Sequence, residues 1–103
     1  MNEPRLHPEA LADVREIWHH IAEDSPDNAD RVNEKIEAAI ARLSEFPHQG
    51  FKRPELTDRP LRFVLAHDYL IAYSPETVPL FILAVLHGRR EPRILAALLR
   101  ERH

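Results

Sequence analysis

Residues 80–87, LFILAVLH, constrain the fold most, because they are apolar at every position through Leu86. Successive side chains of a β-strand point to opposite faces. Strict alternation would put Leu80, Ile82, Ala84 and Leu86 on one face, and Phe81, Leu83 and Val85 on the other. A sheet with one face in water alternates apolar and polar residues, and this strand does not. Both faces of its sheet should therefore be covered.

Two amphipathic helices precede this strand and can cover one face. The first should begin near Pro8 and the second at Pro26, with Ser25 as its N-cap, and the second should end before Pro47. Apolar residues recur at helical spacing in both: Leu11, Val14, Ile17, Trp18 and Ile21, then Val32, Ile36, Ile40, Leu43 and Phe46. Helices joined by so few residues predict an antiparallel hairpin over about residues 8–46.

The second half of the chain has strand character. LRFVLAH (61–67), YLIAYS (69–74) and residues 80–87 are separated by short turns, which predicts a three-stranded antiparallel meander over about residues 61–87. Residues 3–7 can form an extended segment, which Pro4 confines to an edge or an end.

A short helix over about residues 92–101 should follow the meander. Its narrow apolar stripe either folds back onto the sheet or is offered to a partner. The expected architecture is α+β, with an N-terminal edge strand, the helical hairpin packed on the meander and the C-terminal helix. Residues 1–103 should form one domain.

Composition narrows the possible functions. The chain has no cysteine, no signal peptide and no apolar run near the roughly 20 residues that span a bilayer, so a cytoplasmic protein without membrane contact is expected. Residues 1–46 hold 11 Asp/Glu and 5 Lys/Arg, a net charge of −6, whereas residues 47–103 hold 6 and 9, a net of +3. The basic half suits an acidic partner but does not demand nucleic acid.

The stretch LAVLHGRREP (83–92) delivers a histidine and two arginines at the end of an apolar strand. Three interpretations are open: nuclease machinery, a docking site for another macromolecule, or a solvated turn. No metal site is indicated, since His19 and His20 are adjacent on a helix and cannot share a face. No cofactor is expected either.

Several sequence segments, taken together, resemble the ParE branch of the RelE/ParE toxin superfamily, whose members are often described as plasmid-stabilisation proteins. Residues 8–50, which include LADVREIW, SPDNADR and L-x-x-F-P-x-x-G, resemble its two-helix opening. LRFVLAHDYLIAYS and ILAVLHGRRE resemble its strands. The resemblance covers roughly residues 5–92 and depends on the order and spacing of the segments rather than on one motif.

The resemblance implies a bacterial type II toxin that is neutralised by a cognate antitoxin from an adjacent gene, in a hetero-oligomer that reaches operator DNA only through the antitoxin. ParE-like members act on DNA gyrase by binding it, whereas RelE-like members cut mRNA in the ribosome. Three functions follow as hypotheses: a gyrase inhibitor, a ribosome-dependent endoribonuclease, or an inactive relic that only binds its antitoxin. The modest positive charge favours binding over catalysis.

Candidate residues follow from these hypotheses. A nuclease needs cations that stabilise a charged phosphate and groups that move protons, and Arg62, His87 and Arg89 are the best set for that chemistry. A docking surface for the target would use Arg62, His87, Arg89 and Arg90. The apolar residues expected to contact the antitoxin are Trp18, Phe81, Leu83, Ile94, Leu95 and Leu98.

Overall fold

The computed structural model describes residues 3–103 and has the expected α+β architecture. Its elements follow in the order β1 (Arg5–Leu6), α1 (Pro8–Ala22), α2 (Pro26–Glu45), β2 (Arg62–Ala66), β3 (Tyr69–Ser74), β4 (Phe81–His87) and α3 (Pro92–Glu101). The four strands form one sheet in the order β1-β4-β3-β2. β2, β3 and β4 are the antiparallel meander, and β1 pairs in parallel with the start of β4.

Local sequence explains where the helices begin. α1 starts at Pro8 after His7, whose Nδ1 accepts a hydrogen bond of 3.0 Å from the backbone N–H of Glu9. α2 starts at Pro26 after Ser25, whose hydroxyl accepts from the N–H of Asn28 at 3.1 Å. A side-chain acceptor at the N-cap and a proline in the first turn satisfy donors that a helix leaves free.

The sheet is covered on both faces. One apolar cluster joins it to the α1–α2 hairpin and includes Ile36, Leu43, Ile71 and Tyr73, all less than 2% exposed. A second cluster lies on the opposite face and includes Leu95 and Leu99 of α3. α3 therefore folds back onto the sheet, which was one of the two alternatives that the sequence left open.

A β-bulge in β4 breaks the strict alternation expected for residues 80–87. The register passes from Tyr73↔Ile82 to Ala72↔Ala84, so Leu83 has no opposite residue on β3. As a result the expected two sets are wrong from Ala84 onward. Leu80, Ile82 and Val85 face the helical hairpin, whereas Leu83, Ala84 and Leu86 face α3. Because of the extra residue, each side chain that follows it in β4 points to the face opposite to the one that strict alternation predicts.

Among residues 3–103, no helix is long and apolar enough to cross a membrane.

Candidate functional site

One end of the sheet gathers most of the chemically interesting residues. The turn between β2 and β3 (His67 and Asp68) lies beside the segment that follows β4, because the N–H of Gly88 donates to the carbonyl of Asp68 at 2.8 Å. We name this region the sheet-end surface, formed by His67, Asp68, His87, Arg89 and Arg90. Arg89 and Arg90 are both exposed there, and neither guanidinium has an ion-pair partner among residues 3–103.

Three aromatic rings meet at this end of the sheet. The rings of Tyr69 and His87 meet edge to face with centroids 5.3 Å apart, and the ring of His67 stacks on that of Tyr69 at 6.4 Å. The Nδ1 atom of His87 accepts a hydrogen bond of 3.2 Å from the backbone N–H of Arg89. Through this bond His87 acts as a turn residue that orients the arginine segment.

The phenol of Tyr69 is not poised to exchange protons near neutral pH. Burial raises its pKa above the usual value, and the neighbouring Asp68 carboxylate raises it further. Tyr69 is only 8% exposed and belongs to the core cluster beneath the helices. It therefore supports the sheet-end surface mainly by packing.

Arg62 does not join this surface. It starts β2 and is paired with Tyr73, whereas Ala66, at the far end of β2, is opposite Tyr69, the partner of His87. Four residue steps along the strand take the chain from Arg62 to Ala66, roughly 13 Å. The structure thus brings His87, Arg89 and Arg90 together and leaves Arg62 at the opposite end of the sheet.

At that end Arg62 has a structural contact. Its Nη1 donates to the carbonyl of Gly50 at 2.8 Å, while the N–H of Gly50 donates to the hydroxyl of Tyr73 at 2.9 Å. A Cβ at Gly50 would lie 2.5 Å from that hydroxyl oxygen, which explains why the loop after α2 has a glycine here. Burial raises the pKa of Tyr73, against lowering contributions from Gly50 and Arg62.

The six residues expected to contact an antitoxin divide by accessibility. Ile94 is 47% exposed, and Trp18, Phe81 and Leu98 are half-buried. Leu83 and Leu95 are each 1% exposed, because α3 folds back and buries both in the second core cluster. With α3 in this position a partner can touch the first four but not Leu83 or Leu95. Trp18 also donates its Nε1–H to Asp30 at 2.9 Å and so ties α1 to α2.

A cleft of ≈ 410 Å³ opens between α1 and the end of β4. We name it the α1–β4 cleft, and it is lined by Asp13, Glu16, Ile17, His20, Tyr69, Val85, Leu86, His87 and Arg90. It adjoins the sheet-end surface through His87 and Arg90. Sequence reasoning missed the α1 wall of this cleft, since only the fold brings α1 beside the end of β4.

Sequence reasoning also missed an ion pair between Asp13, which lines the cleft, and Arg102. Arg102 forms two hydrogen bonds with the carboxylate of Asp13, of 2.6 and 2.9 Å, and is 8% exposed. The bond to Asp13 is the main cause of the raised pKa of Arg102, so its charge is permanent. One signal was available: Asp13 interrupts the apolar stripe of α1, between Ala10 and Ile17, where a carboxylate needs a partner.

The exposed cations of the sheet-end surface can bind an acidic surface. Nδ1 of His87 is held in a turn contact, and Tyr69 is packed in the core. Among residues 3–103 no group of three or more His, Asp or Glu side chains could hold a metal ion.

The comparisons with known proteins agree with this architecture. The family model described as "ParE toxin of type II toxin-antitoxin system, parDE" matches residues 5–92. The chain belongs to this ParE toxin family. It is also 31% identical over 93 residues to the Sinorhizobium fredii protein named "Putative toxin Y4kP", covering 84% of this chain and 88% of that protein.

The ParE family match extends from β1 to the first residue of α3. It includes His87, Arg89 and Arg90, but Arg102 and nearly all of α3 lie beyond it. The sheet-end surface is thus within the ParE-like part of the chain, and the Asp13–Arg102 ion pair joins that part to the C-terminal segment.

Proposed function

We propose that this ParE-family toxin inhibits DNA gyrase by binding it through the sheet-end surface. The observation that carries the proposal is the exposure of Arg89 and Arg90, whose guanidinium groups have no ion-pair partner among residues 3–103, on a turn held by hydrogen bonds of His87 and Gly88. Exposed cations steer an acidic partner toward the surface. Family membership supports gyrase as the target, and action on gyrase would place the toxin in the cytoplasm.

The geometry gives less support to mRNA cleavage. A nuclease built from Arg62, His87 and Arg89 would need its cations and its proton donor around one phosphate. Arg62 is bound to Gly50 at the other end of the sheet, and Nδ1 of His87 is bound to the backbone. Of the arginines named as candidates, only Arg89 and Arg90 lie beside His87.

We further infer that a cognate antitoxin from an adjacent gene neutralises the toxin in a hetero-oligomer and that operator DNA contacts the antitoxin rather than this chain. Exposed apolar side chains remain available to such a partner, among them Ile94 at 47% and Val78 at 84%. These side chains belong to residues 47–103, which have a net charge of +3. This charge favours an acidic amphipathic segment as the partner. Burial of a few large side chains at about 1.5–3 kcal/mol each can hold it.

The proposal is tested by overproducing the chain without antitoxin. Growth should stop and a DNA-damage response should follow, while transcripts remain intact. The variant R89A/R90A should abolish the arrest, and Arg93→Ala should not, since Arg93 is exposed but already paired with Glu91 at 3.3 Å. Arrest with cleaved mRNA and an undamaged chromosome would overturn gyrase inhibition. Harmless accumulation of folded protein would instead indicate a relic that only binds its antitoxin.

A further inference from the structure

The bulge in β4 determines which way the end of that strand presents its backbone. Beyond Leu83, the even-numbered residues point their backbone N–H and C=O groups toward β3, as the bond from the N–H of Gly88 to the carbonyl of Asp68 shows. Val85 and His87 therefore point their N–H and C=O groups away from β3, toward α1. The bond of 3.0 Å from the N–H of Val85 to the carboxylate of Asp13 confirms this direction.

The outer edge of β4 is only partly covered. β1 covers its beginning, through bonds from Arg5 to the carbonyl of Leu80 (2.8 Å) and from His7 to that of Ile82 (2.9 Å). The chain then turns into α1, which starts at Pro8. Beyond that point side chains substitute for a strand: Arg102 donates to the carbonyl of Leu83 at 3.3 Å, beside the bond from Val85 to Asp13.

Two backbone groups remain open beyond these side chains. The carbonyl of Val85 and the N–H of His87 lie along the α1–β4 cleft, and neither has a hydrogen-bond partner among residues 3–103. An acceptor and a donor two residues apart on one strand match the backbone of an extended peptide. A helix has no free backbone groups along its length to pair with them.

We propose that the α1–β4 cleft receives an extended segment of the antitoxin, which adds to the outer edge of β4 at Val85 and His87. The inference rests on the proposed function, because it presumes a neutralising partner. Ile17 and Val85 give the cleft apolar walls, and Arg90, which also lines it, favours an acidic side chain on the incoming segment. Arg90 also belongs to the sheet-end surface, so a segment bound here covers a residue that the target would use.

Residue-resolved amide exchange by NMR tests this in the complex with the product of the neighbouring gene. Exchange of the His87 amide should slow at least about tenfold relative to the free chain. The amide of Leu65 is the control, because it faces away from β3 on the other edge of the sheet, next to the bridge between Phe51 and Phe63. Its exchange should not change.

Two results would overturn the proposal in distinguishable ways. A complex in which His87 exchanges as fast as in the free chain would exclude strand addition at β4 and leave antitoxin binding intact. If the neighbouring product and the toxin form no complex at all, the antitoxin partnership itself fails.

A matched pair of variants provides a second readout. His20 is exposed and lines the cleft, whereas His19 is exposed, adjacent in sequence and not part of the lining. Filling the cleft with His20→Trp should weaken antitoxin affinity at least about tenfold, and His19→Trp should leave it unchanged. Equal affinity of both variants and the parent chain, with circular dichroism confirming the fold, would overturn the proposal.

Discussion

The carboxylate of Asp13 on α1 bonds to Nη1 of Arg102 at 2.6 Å and to Nη2 at 2.9 Å, joining the start of the fold to its last turn. The same carboxylate accepts the N–H of Val85, so one side chain links α1, β4 and the end of α3. Glu9 adds a contact of 3.1 Å to Arg102. The pair protects the edge of β4 and anchors α3 over the sheet.

Replacement of Asp13 should therefore destabilise the whole domain. Asp13→Ala takes the main ionic partner from the buried Arg102 and the acceptor from Val85, and should lower the free energy of unfolding by about 3 kcal/mol. Asp13→Asn keeps an acceptor for Val85 and should cost less. Urea denaturation measures both, with Glu16→Ala on the next turn as a control within about 0.5 kcal/mol of the parent chain. Equal stability of all three variants would show that the ion pair contributes little.

Gly50 and Gly88 offer a comparison of two glycines with different surroundings. Gly50→Ala would place a Cβ 2.5 Å from the hydroxyl of Tyr73 and 2.8 Å from the carbonyl of Phe63. We expect a loss of about 1–3 kcal/mol. At Gly88 the nearest atoms are 3.2 Å and 3.3 Å away, so Gly88→Ala should cost less. Thermal unfolding followed by circular dichroism ranks the two, and the reverse order would contradict the packing described for the loop after α2.

Arg62 should affect stability, and Arg89 should affect toxicity. Arg62→Ala removes a charged donor from Gly50 and should lower the free energy of unfolding by about 1–2 kcal/mol. Arg89→Ala changes an exposed side chain and should alter stability by less than about 0.5 kcal/mol while weakening growth arrest. Denaturation and growth assays separate the two effects. If Arg62→Ala abolished toxicity without any loss of stability, Arg62 would contact the target directly.

The burial of both tyrosines predicts a loss of stability at alkaline pH. Burial raises the pKa of both Tyr69 and Tyr73, so each phenol binds its proton more tightly in the folded chain than in the unfolded chain. The resulting stability is complete below the ordinary value of about 10 and is lost as the pH rises through the folded pKa. In a titration of tyrosinate absorbance, neither tyrosine should ionise near pH 10 while the protein stays folded. Ionisation of both there, without unfolding, would contradict their burial.

The sequence predicted most of the fold and only part of the site. Helical periodicity after Pro8 and Pro26 identified the hairpin within a residue or two, because tertiary packing here agrees with local preference. Strict alternation failed in β4, since one extra residue at Leu83 is invisible in a run where every residue is apolar. The Arg102 contact was missed because it joins residues 89 positions apart.

The candidate residues divide in the same way. His87, Arg89 and Arg90 are consecutive or nearly so, and local sequence was enough to place them together. Whether Arg62 lies near them depends on how β2 is aligned with β3 and β4, and no local sequence pattern gives that alignment. The burial of Leu83 and Leu95 likewise depends on α3 folding back, an alternative that the sequence alone could not decide.

The central claim is that this toxin inhibits gyrase by binding through the sheet-end surface, and a supercoiling assay with purified gyrase tests it most directly. The toxin should inhibit supercoiling in a dose-dependent manner, R89A/R90A should raise the inhibitory concentration at least about tenfold, and Arg93→Ala should match the parent chain. Full gyrase activity at any toxin concentration, or equal inhibition by R89A/R90A and the parent chain, would contradict the claim.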